Sequence, residues 1–374
     1  GPLVGGWLTD SVSWHWVFWI NLPLGVAAWV AIALAMELPT RRFEGRVDWA
    51  GLSLLDVGAV AVVLLATWGG NQFEWVSWQS AGLVALVLLA WGLLPVVESR
   101  VGEPIIPMQL FTNRTFVITT VMGMLAMGAL FGVMGYLPTY LQMAYGVSAT
   151  TSGLMLIPMT VGMLLASTVS GALVSRTGHY RAFPPVGSLV AAGGLVLMST
   201  VDETSSVLLL SAYTFALGAG IGLFFQLLVL LVQNAVPQRI VGTATSSNNF
   251  FREIGVTLGS ALIGALFTSR LSDRLSALLA DLASSPDEAT RTALARARSE
   301  GLDPASLTPH LVSGLPDVLR GGIVHSYVEA LTPIFLYLSP VLVVAALVSL
   351  ALPHLELGTR SGLEQVEEEL AAEA

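Results

Sequence analysis

The sequence predicts an all-α protein: a bundle of helices that crosses a membrane many times. Three observations carry this. Of 374 residues, 54% are hydrophobic and only 11% are charged, less than half the ~25% charge of a soluble domain. Nine apolar runs approach or exceed the ~20 residues that a helix needs to cross ~30 Å of hydrocarbon. These runs are rich in Leu, Val and Ala and lack the period-2 alternation of an outer-membrane barrel.

In chain order the runs are Val17–Met36, Leu52–Trp68, Ala81–Val97, Phe116–Leu137, Gly153–Val174, Phe183–Met198, Val207–Val232, Thr243–Phe267 and Leu331–Leu352. Gly1–Leu8 reads as the end of a tenth, because GPLVGG starts as if inside a helix and Gly1 is no initiator. The chain is therefore expected to be part of a longer protein. Pro138 and Pro158 should interrupt their runs, since proline removes a backbone donor and crowds the preceding turn. Asp48 stands where a helix should begin, where a carboxylate favours the macrodipole. Asp56 lies deeper on the same helix, by about 12 Å at 1.5 Å per residue.

Arginine sets the expected orientation, because short basic loops stay in the cytoplasm. All 16 basic residues are arginine. One alternating set of loops holds Arg41, Arg42, Arg46, Arg100, Arg114, Arg176, Arg181 and Arg239, and the tail holds Arg360. The opposite set (69–80, 142–151 and 199–206) holds none. The C-terminus is thus expected inside a plasma (cytoplasmic) membrane and residue 1 near its outer face.

Residues 269–330 fall on the outer side. Leu271, Leu275, Leu278, Leu279 and Leu282 are spaced as an amphipathic helix. Ser285-Pro286-Asp287-Glu288 reads as a helix start reaching about Arg298. The segment is either a small helical cap or a partly disordered linker.

Several chemistries are excluded. Without cysteine or lysine there is no disulfide, thiolate metal site or Walker A lysine. The histidines are scattered with no HExxH, and no G-x-S-x-G elbow occurs. The net charge of −9 argues against nucleic acid. No cofactor, metal or enzymatic activity is expected. All ten tryptophans precede residue 92, and most of them read as interfacial anchors.

Particular motifs resemble a known family. GPLVGG (Gly1, Pro2, Gly5, Gly6) resembles the end of the antiporter motif on the fifth helix of drug/proton antiporters of the major facilitator superfamily. Trp14-His-Trp-Val-Phe-Trp-Ile-Asn-Leu-Pro-Leu-Gly25, Asp48-Trp-Ala-Gly51, Thr67-Trp-Gly-Gly70, Tyr136-Leu-Pro-Thr-Tyr-Leu-Gln142, Gln233-Asn-Ala-Val-Pro237 and 242–252 (GTATSSNNFFR) are similar to the 14-span drug:proton antiporter branch, the QacA/EmrB type.

The resemblance implies a major facilitator fold with an incomplete N-terminal lobe. Residues 1–36 would be the end of helix 5 and helix 6. Residues 37–114 would hold two inserted central helices, and 115–268 helices 9–13 of the C-terminal lobe. The loop would be 269–330, helix 14 would be 331–352, and 353–374 an acidic cytoplasmic tail. It also implies a secondary multidrug exporter that couples inward proton flow to outward movement of small lipophilic or cationic compounds. The lipid bilayer would be its solvent. The alternative is a non-transporting receptor or structural partner on the same fold.

The stretch with Gly171, Arg176, Gly178 and Arg181 resembles a second copy of the family's cytoplasmic-loop motif, with Ser175 in place of its acid. This is either a gate hinge or an ordinary turn held inside by arginine.

Charges in hydrocarbon cost several kcal/mol, so Arg252 and Glu253 on helix 13 are candidate coupling residues. Arg252 could face the substrate path, or it could clamp two helices through a buried partner acid. Asn248 shares its face, four residues earlier. Gly255, Gly259, Ser260 and Gly264 form small-xxx-small steps for close helix contact. Gln226 and Tyr136 could line a cavity with Gln233, Met155, Met159, Phe224 and Phe225, or serve only in packing. Asp56 is a candidate proton carrier.

Overall fold

The computed structural model describes residues 2–35, 48–70, 72–102, 104–284 and 308–354. The expected helix at 285–298 and residues 355–374 of the acidic tail lie outside them, as does Gly1.

Among the described residues every regular element is a helix. The chain starts with α1 (Pro2–Ser11), the single turn α2 (Trp16–Trp19) and α3 (Asn21–Ala35). A pair follows, α4 (Trp49–Trp68) and α5 (Trp78–Glu98). Then come α6 (Arg114–Met134), α7 (Leu137–Tyr145), α8 (Ala149–Met155), α9 (Ile157–Thr177), α10 (Phe183–Met198), α11 (Val207–Asn234) and α12 (Val241–Ser284). The short α13 (Pro309–Ser313) leads into α14 (Asp317–Ser349). Eight helical stretches are long and apolar enough to span a bilayer, and α10 is a shorter apolar helix. Together they coincide with the nine runs.

Local chemistry places the ends. Asp48 caps α4 by accepting from Gly51 N at 2.8 Å. Asn113 Oδ1 caps α6 through Thr115 N and Phe116 N. Interruptions of the helix at 135–136 and at 156 separate α6 from α7 and α8 from α9, with Pro138 and Pro158 in the first turn that follows each one. Gly178 ends α9 at φ +69°, its N–H bonded to Val174 O at 2.8 Å.

The boundaries differ from expectation between 269 and 330. Residues 271–282 do form an amphipathic helix, but it continues α12 without a break. No glycine or proline lies between Phe267 and Ser284 to stop it. Leu271, Leu275 and Leu282 are buried along this extension. Leu278 packs on α14 beside Gly322, where an added Cβ would stand 2.7 Å from its Cδ1. At 1.5 Å per residue α12 is ~66 Å long, about twice the hydrocarbon thickness. α14 likewise begins at Asp317 and not near 331. The two helices therefore project together, tied by an Arg274–Glu329 ion pair at 2.8 Å.

The main core lies among α6, α7, α10, α11, α12 and α14, around Met122, Leu195, Leu217, Phe224, Leu331 and Phe335. Outside it the apolar surface is extensive. α3 buries no residue, and Leu34 is 84% exposed. Such a face is stable only in an apolar solvent.

Candidate functional site

Helix α12 carries Asn248, Asn249, Arg252 and Glu253 within two turns, and its glycines explain the geometry. A Cβ on Gly255 would overlap the Met124 carbonyl of α6, and one on Gly259 the backbone of Gly128. From the other side, a Cβ on Gly128 would stand 2.7 Å from Gly255 O. The expected small-residue contact is thus made against α6. About two turns before Gly255 on α12, Asn248 is buried and donates Nδ2–H to Thr120 Oγ1 of α6 at 2.9 Å. Asn248 ties two helices and offers little to a ligand.

Arg252 turns away from this seam toward α11. Its guanidinium carbon lies 4.4 Å from the centroid of the Phe225 ring, a cation–π contact. Nη1 donates to Asn249 Oδ1 at 3.2 Å. The stem runs over Gly123 of α6, where a Cβ would stand 3.0 Å from Arg252 Cγ. Nε is buried without a hydrogen-bond partner.

The expectation of a buried partner acid is corrected here, because no carboxylate pairs with Arg252 among the described residues. Neighbouring residues on a helix point about 100° apart, and Glu253 is exposed. The charge is met by a ring face and an amide.

The other candidates are spread out. Gln226 is exposed on α11, next to Phe225. Tyr136, at the break before α7, packs on Phe267 with ring centroids 4.8 Å apart, and its hydroxyl would meet a Cβ on Gly264 at 2.8 Å. It lies three helical turns from Arg252 along α12 and does not join it. Asp56 is exposed on α4 and meets none of these residues. Gly171, Arg176 and Arg181 are exposed around the α9–α10 turn. That turn is fixed by Gly178 and by buried Tyr180, whose hydroxyl donates to Pro353 O at 2.6 Å.

Of the residues that resemble the antiporter motif, Pro2, Gly5 and Gly6 lie on α1. Gly5 meets open space, while Gly6 presses on α8: a Cβ there would stand 2.5 Å from Ala149 O. Asp10, one turn further, accepts from Thr150 N at 2.7 Å and from Thr150 Oγ1 at 2.5 Å. These bonds, the hydroxyl's first, hold the Asp10 carboxyl below its ordinary range. Sequence reasoning missed Asp10. The available signal was its position four residues after Gly6, on one helix face.

The Arg252 site provides a fixed cation, a ring and an amide beside an apolar wall. It has no nucleophile paired with a base. No group of three or more His, Cys, Asp or Glu that could hold a metal occurs among the described residues. The fold is that of a multi-pass helical membrane protein, with eight described helical stretches long and apolar enough to span a bilayer.

Comparison with known proteins agrees. Residues 1–260 match the family description Major Facilitator Superfamily. The chain is 37% identical over 357 residues to an uncharacterized MFS-type transporter of Mycobacterium tuberculosis (strain CDC 1551 / Oshkosh), covering 96% of this chain and 50% of that protein. It is 34% identical over 384 residues to the multidrug transporter protein MdtP of Bacillus subtilis (strain 168), covering 100% of this chain and 71% of that protein. Among solved structures, a bacterial homolog of the human lysosomal transporter Spinster, inward-facing and occupied, aligns with a TM-score of 0.46 at 16% identity, over 83% of this chain and 69% of that one. The chain belongs to the major facilitator superfamily, a family of transporters and not of enzymes. It spans half the length of the mycobacterial relative.

Proposed function

We propose that this chain is the helix 5 to helix 14 portion of a 14-span multidrug exporter of the QacA/EmrB type. The exporter moves small lipophilic or cationic compounds out across the plasma membrane in exchange for protons, with the C-terminus in the cytoplasm. Transport follows alternating access, in which one lobe rocks against the other around a site between them.

The observation that carries this reading is the junction of α1 with α8. The helix bearing the antiporter-motif remnant docks through Gly6 and Asp10 on the start of α8. A polar, exposed contact of that kind can open and close. The MdtP relative, named a multidrug transporter, supports the substrate class. Arg252 over Phe225, with Gln226 beside it, would line the path on the C-terminal side.

The test is dye efflux from vesicles holding the full-length protein. Efflux should require a proton gradient and stop with a protonophore. Vesicles holding residues 1–374 alone should show none, because the path needs both lobes. Efflux at the same rate with and without the gradient would overturn proton coupling.

A further inference from the structure

Asp48 and Glu98 face each other where α4 begins and α5 ends. Among the described residues they are the only buried carboxylic side chains, 7% and 2% exposed. Each has one oxygen in use: Asp48 Oδ1 accepts from Gly51 N at 2.8 Å, and Glu98 Oε1 accepts from Ile106 N at 3.2 Å. The second oxygen of each, Asp48 Oδ2 and Glu98 Oε2, is buried with no hydrogen-bond partner.

Gly51 brings the two together. A Cβ at this position would overlap Asp48 Oδ2 and stand 3.0 Å from Glu98 Oε1, so both carboxyls lie over one bare Cα. The wall beyond them is apolar: Leu55, Leu94 and Ile106, with Phe250 and Phe251 of α12 packed on it. No described cation bonds either acid. Arg100 is exposed past the end of α5, and Asp56 is exposed on α4. On α12, Arg252 lies on the Phe225 ring and Glu253 is exposed. Residues 104–112 carry no titratable side chain.

Two ionised carboxylates against this apolar wall would repel each other, and no cation among the described residues pairs with either. One proton resolves both problems, since it gives one free oxygen a donor and the other an acceptor role. We propose that Asp48 and Glu98 form a proton-binding site, in which one carboxyl donates to the other and so clasps α4 to α5. The site is separate from Arg252 and does not depend on the transport reading. Gaining the proton makes one O–H bond and one hydrogen bond. Losing it releases the proton to water and leaves two like charges side by side. The clasp therefore holds at lower pH and opens as pH rises.

The test uses the protein in lipid nanodiscs, as wild type, Glu98→Gln and Asp48→Asn. An amide can donate to the remaining carboxylate as the protonated acid does, and asparagine caps a helix as well as aspartate. Infrared spectra of the wild type at pH 7 should show a protonated-carboxyl C=O stretch that shifts in heavy water and is missing in both variants. The wild-type melting temperature should fall by more than about 2 °C relative to Glu98→Gln between pH 6 and pH 9. Three results would overturn the proposal. One is the absence of the band. Another is a parallel pH dependence in wild type and both variants. The third is stabilisation of the wild type, but not of Glu98→Gln, by added Mg²⁺ or Mn²⁺, which would make this a cation site.

Discussion

Asp10 of α1 and Thr150 of α8, 140 positions apart in sequence, are joined by two hydrogen bonds to one carboxylate oxygen. The carboxylate also faces the N-terminus of α8, where negative charge is favoured. Because Thr150 holds the Asp10 carboxyl below its ordinary range, the sign is fixed. The contact is fully present above the usual carboxylate pKa of ~4 and weakens as pH falls through the lower folded value. Asp10→Asn should loosen it at every pH. For an exposed charged hydrogen bond worth ~1 kcal/mol, the opened population rises about fivefold. A single cysteine at Leu8, which is buried in α1, reports this as faster maleimide labelling. An unchanged rate would show that the contact does not hold α1 in place.

The α6–α12 seam leads to a stability prediction. A Cβ on Gly259 would overlap the Gly128 backbone, and backbone cannot move aside as a flexible side chain can. Gly259→Ala should destabilise by ~1–3 kcal/mol, the usual cost of overpacking. Gly171→Ala, with nothing within 4 Å of the added methyl, serves as the control. Thermal melting of both variants in detergent decides it. Equal melting temperatures would mean that the seam relaxes freely.

Much of this fold was legible because membrane helices announce themselves by length and composition. Each apolar run found its helix, and Pro138, Pro158 and Gly178 acted where their backbone restrictions require. The 269–330 segment was misjudged in its boundaries because polar residues such as Arg270, Asp273 and Arg274 resemble a loop when read one by one. Their helix is held by Leu271 and Leu275 packing in the core around α14, a contact invisible to local reading. At the site, periodicity placed Asn248 and Arg252 on one face. A long arginine side chain can nevertheless swing to another neighbour, and Gly123 left room for it to reach Phe225. Glu98 went unnoticed for a similar reason: its partner Asp48 is fifty residues away, and only helix pairing joins them.

Orientation can be checked with single cysteines, since the chain has none of its own. Val76, 94% exposed between α4 and α5, and exposed Ser284 at the end of α12 should react with a membrane-impermeant maleimide from outside. Thr177, exposed at the end of α9, should react only after permeabilisation. The arginine asymmetry motivates this assignment. The reverse pattern would place the C-terminus outside.

Arg252 distinguishes a packing role from a transport role. With no acid paired to it among the described residues, Arg252→Ala leaves no orphaned carboxylate, the usual source of a large folding penalty. What it removes is the contact with Phe225 and the bond to Asn249. A cation–π contact of this kind is worth ~0.5–2 kcal/mol, which a large bundle tolerates. The alanine variant of the full-length protein should therefore reach the membrane at near wild-type abundance. If Arg252 faces the path, its drug efflux should fall at least tenfold. Arg252→Lys keeps the charge and can keep the ring contact, but it loses the planar fork, so it should rescue only in part. Phe225→Leu keeps the apolar wall and removes the π face, and it should fall between wild type and Arg252→Ala. Membrane abundance by immunoblot and dye efflux from the same vesicles separate the outcomes. Loss of abundance in Arg252→Ala would make the residue a packing clamp. Full abundance with full efflux would mean that the guanidinium serves neither role.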